Sequence, residues 1–223
     1  MAKPPSDYFT DLQYTTGYYD GMNTEKVKFI FALAGIEHGN LSQCCELGFG
    51  QGLSLAIHSA TTEQKWYGTD IISSHVNFAK NMLSQKGASD RIYNLPFSEY
   101  FNLEGLPSFD FIALHGVWSW VDHEQRKKIV EFLENKLRPN GICYISYNVL
   151  PGQSHIEPVR KLIQAFYNKA RSTGVGAREA ITSAVDNLRN IGNDNHRFFS
   201  ENSHSMTHLK NLLNKSPEYI AHE

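Results

Sequence analysis

Three glycines and two acids are the residues of this sequence whose types and spacing most clearly suit a binding site. Glu46 ends a short apolar run, and Gly48, Gly50 and Gly52 follow it at alternate positions. Glycine permits positive φ and lets a ligand approach the backbone closely. Asp70 ends the next predicted strand, where a carboxylate could accept two hydrogen bonds from ribose hydroxyls. This order of strand, glycine turn and helix predicts a ligand site at the carboxyl end of the first strand.

The spacing of the glycines discriminates between ligands. A dinucleotide fingerprint needs its third glycine one residue later, where this chain has Leu53. An acid two residues before the first glycine suits a cationic ligand, because a carboxylate favours a nearby sulfonium or ammonium group. Two structural alternatives stay open. The turn could hold no ligand, and Asp70 could cap the following helix instead of binding a sugar.

Aromatic and polar residues follow the predicted fourth and fifth strands. His115 and Trp118 come after the fourth strand, and Tyr147 and Asn148 end the fifth. The carboxyl ends of parallel strands share one edge of a sheet, so these side chains should lie at the ligand edge. His115 could instead bond a backbone group, and Trp118 could belong to the core. The aromatic segment before the first helix is either a hydrophobic clasp or a lid over a cation.

The elements that position these residues follow from hydrophobic periodicity. Five strands alternating with helices predict a parallel, doubly wound sheet with right-handed crossovers. The first strand ends at Glu46, and the others are predicted over 66–70, 91–95, 109–114 and 142–148. Helices are predicted over 24–36, 53–60, 74–86 and 124–137. Beyond residue 155 the pattern is helical over 156–169, 177–188 and 206–213, with a polar loop at 190–205. The predicted division is therefore 1–154 and 155–223.

Composition narrows the class of protein. With 41% hydrophobic and 12% aromatic residues, the chain should form a packed globular core. Its net charge of −2 and the lack of a basic face argue against strong nonspecific binding to nucleic acid. No apolar run or signal peptide indicates a membrane, so a cytoplasmic location is expected. The three cysteines have neither disulfide nor metal-ligand spacing and are interpreted as core. A homodimer is left open.

Three motifs together carry a family resemblance. They are Glu46-Leu47-Gly48-Phe49-Gly50-Gln51-Gly52, then His115-Gly116-Val117-Trp118-Ser119-Trp120-Val121, then Tyr147-Asn148-Val149-Leu150-Pro151-Gly152. Between roughly Tyr14 and Gly152 the chain resembles the bacterial S-adenosylmethionine (SAM)-dependent methyltransferases that carry a methyltransferase regulatory domain. That family includes the rickettsial-type protein-lysine methyltransferases. Two departures are Phe49, where relatives commonly have cysteine, and the lack of recognisable sixth and seventh strands.

The resemblance implies a class I, Rossmann-like α/β methyltransferase domain with a C-terminal helical extension, which could begin a truncated regulatory domain. It implies SAM as cofactor, S-adenosylhomocysteine as product, and a protein lysine or a small molecule as acceptor. A SAM-binding module without turnover is the alternative. The implied cofactor-binding residues are Tyr18, Glu46, Gly48, Gly50, Gly52, Asp70, Ile71, Leu95, Pro96, Phe97, His115 and Trp118. The implied catalytic residues are Tyr147, Asn148 and Tyr14, with Tyr14 or Tyr18 closing over the cofactor. No metal is expected.

Overall fold

The computed structural model describes residues 16–84, 87–119, 121–193, 196–216 and 219–220. These residues fall into two compact units. The first is Thr16–Tyr147, and the second covers residues 148–220 of the described chain. The change from one unit to the next thus comes seven residues earlier than the boundary inferred from strand patterning (154 − 147).

Within the described residues, the first unit contains a five-stranded parallel sheet in the order β3-β2-β1-β4-β5. Its strands are β1 (Gln43–Leu47), β2 (Lys65–Thr69), β3 (Ile92–Tyr93), β4 (Phe109–His115) and β5 (Leu137–Ser146). The strand order reverses beside β1, which places a crevice at the carboxyl ends of β1 and β4. The predicted doubly wound fold class is confirmed.

Helices cover both faces of the sheet. They are α1 (Thr24–Leu33), α2 (Leu53–Thr61), α3 (Ser73–Leu83), the short α4 (Phe97–Tyr100) and α5 (His123–Lys136). One core joins α1, α2 and α3 to strand residues such as Trp66 and Phe111. The other joins α4 and α5 to residues such as Cys45 and Phe109. Because β1 and β4 are buried on both faces, their sequences read as nearly continuous apolar runs.

Three details of the first unit differ from the sequence prediction. Helix α1 ends at Leu33, because Gly35 takes a positive φ of 67° just beyond it. Ile30 of α1 is exposed, whereas Phe31 packs against the core. The predicted turn near Pro139 lies inside β5 as an irregularity of register, and Cys143 on this edge strand is exposed rather than core.

Asp110 clamps the amino edge of the sheet. Its Oδ2 accepts hydrogen bonds from the backbone N–H groups of Ser42 and Gln43 at 2.9 and 2.8 Å and from the Ser42 hydroxyl at 2.8 Å. Its Oδ1 accepts from Arg138 Nη1 at 2.7 Å. Although burial by itself raises the pKa of this carboxyl, these donors lower it below its ordinary value. The clamp ties β1, β4 and the irregular part of β5 together.

Helices are the only regular elements among the described residues of the second unit. It comprises α6 (Glu157–Arg171), α7 (Ala177–Asn193), α8 (Arg197–Glu201) and α9 (Ser203–Leu213). The prediction of a polar loop over 190–205 was wrong, because α7 continues into it and α8 lies within it. One buried ring, Phe199, fixes α8 to the core of this unit despite its polar neighbours. No helix in the described chain has the length and apolar character needed to cross a bilayer.

Candidate functional site

The glycine turn between β1 and α2 has a backbone that only glycine adopts readily. Gly48, Gly50 and Gly52 have φ values of 68°, 57° and 72°. A Cβ at Gly48 would lie 2.6 Å from Val117 Cγ2, and one at Gly52 would lie 2.7 Å from Ala79 Cβ. The turn backbone therefore lies too close to the loop after β4 and to α3 for side chains at these two positions. The Gly48 N–H also donates to the Thr69 carbonyl at 2.9 Å.

Asp70 connects this turn to the end of β2. Its Oδ2 accepts from the Gly50 N–H at 2.9 Å, and its Oδ1 accepts from the Ile72 N–H at 2.9 Å. His75 of α3 places Nδ1 3.4 Å from the same Oδ1. Ile72 precedes α3, so the carboxylate also supports the start of that helix. The Ser73 hydroxyl donates to Asn94 Oδ1 at 2.7 Å. Ribose binding by Asp70 stays a prediction.

Glu46 is a buried acid with an unsatisfied oxygen. Its residue surface is 3% exposed, and its Oε2 has no hydrogen-bond partner among the described residues. Burial, and then the nearby charge of Asp70, raise the pKa of Glu46 to about 8. Ionising such a carboxyl is costly unless a cation or donors compensate it. The site therefore suits a positively charged group beside the turn.

Apolar groups and carbonyls line the ends of β2 and β3. Thr69 Oγ1 donates to the Leu95 carbonyl at 2.6 Å, and the Asn94 amide donates to the carbonyls of Asp70 and Ile71, each at 3.0 Å. Pro96 precedes α4, and Phe97 is buried, with its ring stacked on that of Phe101. A Cβ at Gly48 would lie 3.8 Å from Phe97 Cζ. Among the predicted cofactor-binding residues of this region, Phe97 thus adjoins the glycine turn.

His115, at the end of β4, lies between two tyrosines. The Tyr19 ring stacks on the His115 ring at a centroid distance of 4.0 Å. On β5, Tyr144 Oη is 3.2 Å from His115 Nδ1. The Gly116 N–H donates to Ser146 Oγ at 2.9 Å, which joins the two strand ends once more. Burial lowers the pKa of His115 below its ordinary value.

The segment before α1 is anchored to the start of α2. The Thr16 hydroxyl is hydrogen-bonded to Gln51 Oε1, and the Tyr19 N–H donates to Ser54 Oγ at 2.8 Å. Tyr18 is 42% exposed, and its hydroxyl accepts from the Asn23 amide at 3.2 Å. Tyr14 and Trp120 lie outside the described residues.

The remaining predicted residues have more ordinary surroundings. Trp118 is half-buried against the core of α4 and α5, and Arg126 Nε donates to its carbonyl at 3.0 Å with the guanidinium carbon 5.8 Å from the ring centroid. Tyr147 follows β5 and is 56% exposed. Strand β5 ends at Ser146 rather than at residue 148. Asn148 is exposed and belongs to the second unit. Their roles toward a ligand stay predictions.

Residues 45–145 match a protein family described as a methyltransferase domain. The structure of PKMT2 from Rickettsia typhi in complex with AdoHcy shares the fold of this chain, with a TM-score of 0.71 and 22% identity. That similarity covers 94% of this chain and 40% of the other. The predicted Rossmann-like, class I methyltransferase fold is confirmed.

Two curated relatives extend the comparison. An uncharacterized protein of Synechocystis is 29% identical over 221 residues, which are 97% of this chain and 43% of the relative. An uncharacterized protein of Rickettsia prowazekii is 32% identical over 130 residues, which are 57% of this chain and 51% of the relative. The chain thus spans about half or less of the length of these relatives.

Four residues of the candidate site escaped the sequence prediction. His75 and Asn94 fix the end of β2, and Tyr19 and Tyr144 hold His115. Asn94 directly follows the observed β3, whereas the sequence analysis placed it inside the strand predicted over 91–95. No local pattern distinguishes Tyr19 from its aromatic neighbours, because its role depends on a partner 96 positions away (115 − 19).

Proposed function

We propose that this domain binds SAM at the carboxyl edge of its sheet and transfers the methyl group to a protein lysine. The observation that carries the proposal is Glu46, a buried acid with an unpaired oxygen beside a bare glycine turn. SAM carries both an ammonium and a sulfonium charge, and either would compensate the ionised carboxylate.

The proposed cofactor contacts follow from the geometry of the strand ends. Glu46 would attract the cationic end, while Asp70 would accept hydrogen bonds from the ribose hydroxyls. The carboxylate of Asp70 is already held by Gly50 and Ile72, so it needs no rearrangement to present its remaining lone pairs. Ile71, Leu95, Pro96 and Phe97 would contact the adenine. Tyr18, His115 and Trp118 would border the methionine end.

Bound SAM supplies an electrophilic methyl group, and the protein must align an acceptor with it. Alignment of reacting groups roughly 3 Å apart can contribute about 7–11 kcal/mol to lowering the barrier. A lysine acceptor must also lose a proton, which costs roughly 4.6 kcal/mol at pH 7 from its reference pKa of about 10.4. Tyr147, Asn148 and Tyr14 are the residues that we propose to face the acceptor.

Support for a lysine acceptor comes from the family resemblance in three motifs, two of which lie outside the glycine turn common to many folds. A small-molecule acceptor, or SAM binding without turnover, would be equally compatible with the glycine turn. A cytoplasmic location, a homodimer and the absence of nucleic-acid binding remain predictions from the sequence.

The test separates binding from turnover. Titration calorimetry with SAM, AdoHcy and NAD should give binding of the first two only. Glu46→Gln should weaken SAM binding about tenfold or more, since it removes the charge at nearly constant shape. Glu104→Gln, at an exposed position of the same unit, is the matched control.

Incubation of the domain with isotopically labelled SAM and either protein or metabolite pools identifies the acceptor by mass spectrometry. Methylated lysine in the protein pool supports the proposal. Label only in metabolites would replace the protein acceptor with a small molecule. Binding without label in either pool would replace turnover with an interaction role.

A further inference from the structure

Three elements of the first unit meet at His115. The segment before α1 brings the Tyr19 ring to 4.0 Å from the His115 ring. Strand β5 brings Tyr144 Oη to 3.2 Å from Nδ1, and the rings of His115 and Tyr144 are nearly parallel, 6° apart. The cluster lies at the carboxyl ends of β4 and β5, one strand away from Glu46 on β1. It is therefore close in the fold to where the methyl donor would lie.

Only one ring nitrogen of His115 has a hydrogen-bond partner within the part of the chain that the structure describes. Tyr144 occupies Nδ1, and Nε2 is left without one. A histidine held by one nitrogen can use the other as proton donor or acceptor, because the first contact fixes the orientation of the ring. This is the arrangement expected of a positioned acid or base.

We propose that His115 accepts the proton of an ammonium acceptor through Nε2, with Tyr19 and Tyr144 as positioning residues. This role rests on the proposed function and extends it, because it excludes acceptors that reach the site without a proton to lose. A primary or secondary amine, such as a lysine side chain, is the acceptor class that such a residue serves.

A lysine acceptor enters this step in its ammonium form. An N–H bond of the ammonium breaks, its proton goes to Nε2, and the electron pair stays on the amine nitrogen. That pair then forms the N–C bond while the C–S bond breaks, with its electrons going to the sulfur. The imidazolium afterwards releases its proton to water.

The surroundings of His115 favour the neutral form that this step needs. Burial lowers the pKa of the ring below its ordinary value. The groups that face it are Tyr19 from the segment before α1 and Tyr144 from β5, both uncharged near neutral pH. Asp20 and Lys26 act on Tyr144 with opposite signs and form an ion pair with each other at 2.5 Å. His115 should therefore be neutral at pH 7 and able to accept a proton.

Tyr19 and Tyr144 are both fixed by more than their contact with His115. The Tyr19 N–H is held by Ser54 Oγ at 2.8 Å. A Cβ at Gly21 would lie only 2.7 Å from Tyr144 Oη, so the segment before α1 closes directly on that hydroxyl. Since the two tyrosines act through His115, substitutions at either should change the pKa of His115 and the pH profile of the reaction more than they change SAM affinity.

The experiment compares the pH profile of single-turnover methyl transfer to a lysine peptide with SAM affinity measured by calorimetry. The unmodified domain should lose rate as pH falls through the lowered pKa of His115. His115→Gln should be slower by about 10²-fold at neutral pH, should lack this acidic limb, and should lose much less SAM affinity than rate. His123→Gln, at the exposed first residue of α5, is the control.

Two further measurements keep the test decisive if His115→Gln is unstable. An NMR titration should give the His115 ring of the unmodified domain a pKa below 6.5, and Tyr144→Phe should move it along with the acidic limb. Tyr19→Ala should lower the rate, and Tyr19→Phe, which keeps the ring, should restore it.

The outcomes distinguish this role from the function on which it rests. If His115→Gln weakened SAM binding in proportion to the lost rate and kept the acidic limb, His115 would be a cofactor-binding residue and the proton-transfer role would be overturned. An unchanged rate and profile in the variant would overturn it as well. Failure of the unmodified domain to methylate any amine would overturn both.

Discussion

The backbone N–H of Gly50 donates to Asp70 Oδ2 at 2.9 Å, which links the glycine turn after β1 to the end of β2. The two residues are 20 positions apart, yet each fixes the conformation of the other. The same carboxylate would hold the ribose in the proposed complex. Cofactor affinity and the conformation of the turn should therefore change together.

Asp70→Asn should weaken SAM binding about 10- to 100-fold. Hydrogen bonds to a charged acceptor contribute about 1.5–3 kcal/mol, and each 1.4 kcal/mol is a factor of ten in affinity. Calorimetry measures the affinity, and Asp90→Asn, at an exposed position in the same unit, is the control. Equal affinities in both variants would remove Asp70 from the site.

Gly52→Ala should destabilise the domain by about 1–3 kcal/mol more than a substitution that only strains the backbone. The new methyl group would lie 2.7 Å from Ala79 Cβ, which is buried and has no rotamer to change. Gly105→Ala is the matched control, because its φ is also positive, at 82°, and nothing lies within 4 Å. Urea unfolding compares the two, and equal losses would mean that the turn relaxes around the added group.

The clamp at Asp110 should make stability depend on acid. The folded-state pKa of this carboxyl is lowered, so its stabilisation is present above the unfolded value of about 3.9 and is lost as pH falls through the folded value. Asp110→Asn should cost about 1–3 kcal/mol near neutral pH. Denaturant unfolding at several pH values should show this difference shrinking below about pH 4, and a constant difference would contradict the assignment.

Glu46 should have the opposite effect, because its folded-state pKa is raised to about 8. Between about pH 4.3 and about 8 the unfolded chain has lost this proton while the folded chain retains it, so stability falls as pH rises through this window. Glu46→Gln should flatten that slope in unfolding experiments without ligand. SAM affinity of the unmodified domain should instead rise with pH as Glu46 ionises.

The turn itself was predictable from sequence because its requirements are local. Alternating glycines and the flanking apolar runs specify positive φ values and a strand–turn–helix order, and the structure has both. The same holds for the strand β4, whose continuous apolar sequence reflects burial on two faces.

Other features depend on contacts between distant residues and could not be read from a local pattern. Tyr19 stacks on His115 only because the segment before α1 is tied to Ser54 of α2. Glu46 Oε2 is unpaired because no donor among the described residues reaches it, and that depends on the tertiary fold. The polar stretch before α9 became helical because a single ring, Phe199, packs into the core of the second unit.

The two acids of the sheet, Asp110 at its amino edge and Glu46 at its carboxyl edge, differ in what neutralises them. The protein's own donors compensate the charge of Asp110, whereas an ionised Glu46 would need a cation from a ligand. In mildly alkaline solution the ligand-free domain should consequently unfold more readily than the cofactor-bound domain, and added cofactor should stabilise it. Conditions for purification and crystallisation could be chosen on that basis.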